Sequence, residues 1–188
     1  MAREIQIAIW VVLGVALAIS TVTDLRTRKI LNIVTIPTAA LCLALRFAGG
    51  LKAGAVMGPL WDGGGLSSGL LGMAIAGIVF VIMAVTGGMA PGDVKLMLGV
   101  GAGVGFPSIF ACLLFVSIAG GLEAVVFLIW QGKLLKTFGG MARAGLEKLK
   151  LAKPGAPLEK SKIPYGVAIA IGTIWGILWY QLGEHSLM

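Results

Sequence analysis

The chain has 188 residues, of which 58% are hydrophobic and only 12% charged, and it carries a net charge of +7. That composition and the positive mean hydropathy exclude an ordinary soluble domain and place the chain in a membrane. The excess of positive charge is not a nucleic-acid signature, because most Lys and Arg flank apolar runs, where they set orientation in a bilayer.

Taken in chain order, the first apolar run, Ile5 to Thr23, passes into Asp24 without a small-residue cleavage site, so it reads as a transmembrane helix and not as a signal peptide. Further spans are expected at Leu31–Ala48, Leu66–Thr86, Val94–Gly105, Pro107–Trp130 and Ile163–Leu182, each judged on length and apolarity. The expectation is an all-α integral membrane protein with six crossings, forming one membrane-embedded domain over residues 1–188. The fourth span is the shortest, rising only about 18 Å as a helix, so it begins below the membrane surface. Its Gly99, Gly101, Gly103 and Gly105 read as small residues that let neighbouring backbones approach. Between spans five and six, Leu134, Phe138, Met141, Leu146 and Leu149 recur at helical spacing, with Lys136, Arg143, Glu147 and Lys150 on the other face. That pattern predicts an amphipathic helix over Leu134–Leu151, lying on an anionic cytoplasmic leaflet. Cys42 and Cys112 stand alone in apolar runs without a CxxC pair and read as packing residues.

Six crossings divide the Lys and Arg residues unequally. Twelve fall on one side, at Arg26, Arg28, Lys29, Lys95 and the segment between spans five and six, whereas Arg3, Arg46 and Lys52 fall on the other. The positive-inside rule therefore predicts an N-terminus outside and a cytoplasmic side that bears both Asp24 and Asp93. Asp62, in a Trp-Asp-Gly-Gly-Gly stretch of the outer loop, reads as a turn residue.

Ionisable residues at membrane depth usually face a protein interior or a wet cavity where they act. Two carboxyl groups about 3 Å apart cannot both ionise, so one serves as base toward water while the other donates to a substrate carbonyl. Such chemistry needs no metal and no cofactor. Gly92 frees the backbone beside Asp93, Pro91 restricts its approach, and a helix start favours the negative charge. A structural alternative stands beside this: Asp24 pairs with Arg28 one turn on, and Asp93 caps a helix while Lys95 reaches out to lipid headgroups.

Three segments carry a family resemblance. Asp24-Leu25-Arg26-Thr27-Arg28-Lys29-Ile30-Leu31-Asn32 resembles the first aspartate motif of the type IV prepilin peptidases, and Ala90-Pro91-Gly92-Asp93-Val94-Lys95 resembles their GxGDxK motif, shared with the wider GxGD intramembrane aspartic proteases. Lys162-Ile163-Pro164-Tyr165-Gly166 is similar to the family's stretch before the last helix. Leu31 stands where the family usually has proline, and Ala90 where it has the first glycine. The resemblance implies an Asp24/Asp93 dyad supported by Asn32, Gly92, Lys95, Pro164, Tyr165 and Gly166. It also implies a short, Tad (Flp pilus) type enzyme of the bacterial inner membrane, which cleaves the basic leader of prepilins or pseudopilins and serves a pilus assembly machine. The domain that N-methylates the new terminus in long members has no room between the first two spans. An ion- or proton-coupled transporter and a catalytically inactive pilus-assembly subunit are the competing functions.

Overall fold

The computed structural model describes residues 3–28, 30–58, 64–86, 89–130, 132 and 165–186. Within them the chain forms α1 (Arg3–Thr27), α2 (Asn32–Lys52), α3 (Gly65–Val85), α4 (Pro91–Val104), α5 (Ile109–Trp130) and α6 (Gly166–Ser186), with no strand among the described residues. The protein is therefore all-α. Four helices, α1, α2, α3 and α5, are long and apolar enough to cross a membrane, and α6 contributes a shorter apolar stretch, Gly166–Leu182. The amphipathic helix expected over Leu134–Leu151, Asp62 and Lys29 lie outside the described residues.

The chain divides into two compact units, Met1–Ala119 with Pro164–Met188, and Gly120–Ile163. The first unit is organised around α4, which packs against α3, α2, α1 and α6. From Val94 to Val104 this helix is buried apart from Lys95 and Leu98. Its glycines explain how so many neighbours fit. Gly101 and Gly72 of α3 meet backbone to backbone, and Leu13 of α1 fills the space that a side chain at Gly103 would take. Gly105 does more than pack: its φ of 74° with ψ of 175° is a conformation essentially open to glycine alone, and it turns the chain out of α4.

α1 shows the membrane pattern plainly. Ile5, Ile9, Leu13, Leu17, Ser20 and Asp24 lie three or four residues apart and form one buried stripe, while Ile7, Val11, Val15 and Val22 are exposed. Apolar residues on every face mean that the exposed ones meet lipid. Asp24 is the polar end of the buried stripe. Arg46 requires a correction, because its charge reads in the sequence as one of three marking the outer side. The side chain is 0% exposed and lies inside the bundle, hydrogen-bonded to the end of α4.

The start of α5 meets α6 through Gly172 and Gly176, which are one helical turn apart. A Cβ on Gly176 would stand 2.6 Å from the Cα of Cys112, so the backbones touch where any side chain would part them. Cys112 is buried there, and Phe115 packs on the rings of Trp175 and Trp179. Replacing Gly176→Val should cost about 1–3 kcal/mol by overpacking. Gly14→Ala, where the new methyl group meets nothing within 4 Å, should leave stability equal or raise it by up to about 1 kcal/mol. Thermal unfolding of the two purified variants in the same detergent checks both signs.

Candidate active site

The C-terminal turn of α1 and the first turns of α2, α4 and α6 converge at one end of this unit. Asp24 closes α1 and is only 5% exposed. Its Oδ2 accepts the backbone N–H of Gly166 at 2.8 Å, and Thr21, on the preceding turn, donates to the Gly166 carbonyl at 3.4 Å. The first N–H groups of a helix have no partner within the helix and form its positive end, a natural seat for a carboxylate. Gly166 is required for this approach. A Cβ at that position would stand 2.9 Å from Oδ2 and 3.1 Å from the Cβ of Asp24. The pairing of Asp24 with Arg28 considered above takes another form: the backbone N–H of Arg28 donates to the Asp24 carbonyl at 2.8 Å, while the carboxylate turns to α6. Arg28 itself has φ of 51°, an unusual left-handed conformation for a side-chain-bearing residue, which ends α1 and redirects the chain.

Asp93 occupies the third position of α4 and is likewise 5% exposed. Its Oδ2 reaches back to accept the N–H of Ala90 at 3.2 Å, and Pro91 takes the first helical position, where a missing N–H costs nothing. The two carboxyl groups lie within electrostatic reach of each other. One turn inward from Asp24 on the same buried stripe, the hydroxyl of Ser20 has no hydrogen-bond partner among the described residues.

The α1–α2 turn and the start of α4 are held together at two points. A Cβ on Gly92 would lie 3.0 Å from the Cβ of Ile30, so Gly92 serves close approach. Lys95 Nζ donates to Asn32 Oδ1 at 2.9 Å, which corrects the reading of Lys95 as a headgroup anchor. Tyr165 is half-buried and opens α6, its carbonyl accepting the N–H of Ile169 at 3.1 Å. Pro164 lies outside the described residues. Both departures from the family motifs are compatible with the backbone. Leu31 has φ of −79° and ψ of 128°, within proline's own range, and Ala90 has φ of −82°, so neither position demands glycine or is strained by the residue present. Among the described residues no group of three or more His, Cys, Asp or Glu side chains is arranged to hold a metal ion.

Two buried carboxylates, Asp24 and Asp93, are thus each held by a backbone N–H at a helix start in an all-helical membrane protein. The model of the type IV leader peptidase family matches residues 11–125, more than half of the chain and a span that includes both aspartates, Asn32 and Lys95. The chain belongs to that family and is a peptidase of the leader-peptidase kind. No curated protein and no solved structure matches it.

Sequence reasoning missed Arg46, Ser20 and Thr21. Ser20 carries a signal in hindsight, since a hydroxyl four residues before a buried aspartate shares its helix face. Gly166→Ala should push the Asp24 carboxylate off the start of α6 and lower peptidase activity at least about tenfold, since a misplacement of about 1 Å can cost about 10²-fold. Comparison of kcat for this variant and for Gly14→Ala, measured on folded protein, checks it, and the Gly14 variant should match the unaltered chain.

Proposed function

We propose that the protein is an aspartic endopeptidase that removes the basic leader of type IV prepilins or pseudopilins, with Asp24 and Asp93 as its dyad. The observation that carries this reading is the placement of both carboxylates. Each is buried, each is held by a backbone N–H at a helix start, and they share one end of the unit. Polar groups removed from water persist only where paired or put to use. In the reaction one carboxylate removes a proton from water as its oxygen bonds to the scissile carbonyl carbon. The other carboxyl group protonates the carbonyl oxygen, giving a tetrahedral diol. Collapse of the diol breaks the C–N bond, with one proton delivered to the departing nitrogen, and the pair ends with one proton, as it began.

The substrate reading rests on the family and on charge. A leader peptide presented at the cytoplasmic face reaches Asp24 and Asp93 if the division of Lys and Arg, twelve against Arg3 and Lys52 once the buried Arg46 is set aside, orients the chain with its N-terminus outside, in a bacterial inner membrane. The supporting roles follow the contacts: Gly92 and Gly166 permit close approach, while Asn32 and Lys95 hold the two aspartate-bearing segments together. Only residues 28–31 join α1 to α2, so no methyltransferase domain is inserted there, and the activity proposed is cleavage alone.

Purified protein incubated with a synthetic prepilin tests the reading. Asp24→Asn and Asp93→Asn should each reduce cleavage by about 10²–10⁴-fold. The double variant should be no worse than either single one, since residues that act as a unit are not additive. The rate should follow a bell-shaped pH profile that belongs to the pair. Near-normal cleavage by Asp24→Asn would remove it from the dyad.

A further inference from the structure

We propose that Arg46 is a positioning residue for Asp93: from the opposite end of α4 it fixes the depth and the rotation of that helix. The inference rests on the reading of Asp93 as half of the dyad.

α4 is short for a membrane helix. Its 14 residues rise about 21 Å, less than the roughly 30 Å of a bilayer's apolar core. A helix that begins at the Asp93 end therefore stops inside the apolar layer, and its last four carbonyls have no partner within the helix. The structure supplies partners for three of them in sequence. The Gly101 carbonyl accepts the N–H of Gly105 at 2.9 Å, after which the chain turns away. The next two carbonyls are taken by Arg46, whose Nε donates to Ala102 at 2.8 Å and whose Nη2 donates to Gly103 at 2.7 Å. The guanidinium thus continues the hydrogen-bond ladder of α4 past the point where the backbone leaves it. Its Nη1 also donates to the Gly65 carbonyl at 3.3 Å and lies 3.5 Å from the Ser68 hydroxyl, so the same group ties α4 to α3. Ser68 in turn donates to the Phe106 carbonyl at 2.8 Å, just beyond α4.

The slot is built for this side chain. A Cβ on Gly69 would stand 2.5 Å from Arg46 Cδ, and one on Gly105 would stand 2.5 Å from Nη2. Arginine fits where lysine does not, because its planar fork presents two donors in a fixed direction to two successive carbonyls. Successive carbonyls on a helix differ by about 100° in rotation and about 1.5 Å in height. Engaging both at once specifies rotation and depth together.

This fixing point adds to the packing of Leu96, Met97 and Val100 in the core, which holds the α4 helix without engaging its C-terminal carbonyls. Gly99 faces α2, Gly101 meets Gly72 of α3 and Gly103 meets Leu13 of α1, so at each of these contacts α4 offers no side chain of its own to set register. At the site end, the Lys95–Asn32 hydrogen bond is exposed and one of its partners is the long lysine side chain. A slip of one residue would carry Asp93 out of line with Asp24.

The test compares Arg46→Met, which keeps the volume but loses every donor, and Arg46→Lys with the unaltered chain, all as monodisperse purified protein. One readout is cleavage of a synthetic prepilin per folded molecule. The other is the yield of cross-linking between Asn32→Cys and Lys95→Cys with a short thiol-reactive linker, placed in each background. The expected result is a fall in kcat of about a hundredfold for Arg46→Met with KM little changed, a smaller fall for Arg46→Lys, and a parallel loss of cross-link yield. A purely structural Arg46 would lower yield and thermal stability while folded molecules kept their kcat and their cross-link, and that result overturns the proposal. If Arg46→Met does not fold, Arg46→Lys decides by the same two readouts. Should the unaltered chain fail to cleave any prepilin, the peptidase reading fails on its own, and the cross-link still decides whether Arg46 sets the register of α4.

Discussion

A helix of 14 residues cannot cross the apolar layer of a bilayer, so the polar groups at its ends must find partners inside the protein. That constraint on α4 organises the rest of the first unit. At one end Asp93 accepts the N–H of Ala90 and Pro91 removes a donor, and at the other Arg46 takes the carbonyls of Ala102 and Gly103. Four helices enclose the short one, at distances that only glycine permits at several crossings. Asp24 answers the same kind of need at the start of α6, where it accepts the N–H of Gly166. Each aspartate is thus both a helix cap and a buried carboxyl group. Capping orients the carboxylate at no cost in extra side chains, and orientation is what acid–base chemistry requires.

Much of this was legible in the sequence. Long apolar runs announce helices of membrane length because the bilayer permits little else, and Asp24 and Asp93 stand out as two of only three aspartates in the chain. What was not legible depends on contacts between distant residues. Arg46 looks like an orienting charge, and only the packing of α2 against α4 shows its side chain turned inward. Lys95 looks like a lipid anchor until Asn32, 63 positions earlier, is found beside it. Gly166 sits in a weak motif, and its necessity appears only when Asp24, 142 positions away, is placed against it. The substitutions Leu31 and Ala90 raised a question that motif comparison could not answer. Their backbone angles answer it, since neither position uses a conformation that leucine or alanine resists.

The family match ends at residue 125, whereas one wall of the site is contributed by α6. The matched segment holds the carboxylates, and the unmatched one supplies the N–H that seats Asp24. The site is therefore assembled from both ends of the sequence, with α1 and α6 closing around the short helix between them. A change in the start of α6 alters the surroundings of Asp24 without touching any residue in the matched span.

The central claim is that Asp24 and Asp93 act as one acid–base unit sharing a single proton. Infrared difference spectroscopy of the carboxyl C=O stretch, with isotope-labelled aspartate and pH as the perturbation, measures it directly. A shared proton predicts a protonated-carboxyl band that Asp24→Asn and Asp93→Asn each alter, because removing either partner changes the titration of the other. If Asp93 titrates identically with and without Asp24, the two carboxylates are independent helix caps and the account of a dyad is contradicted.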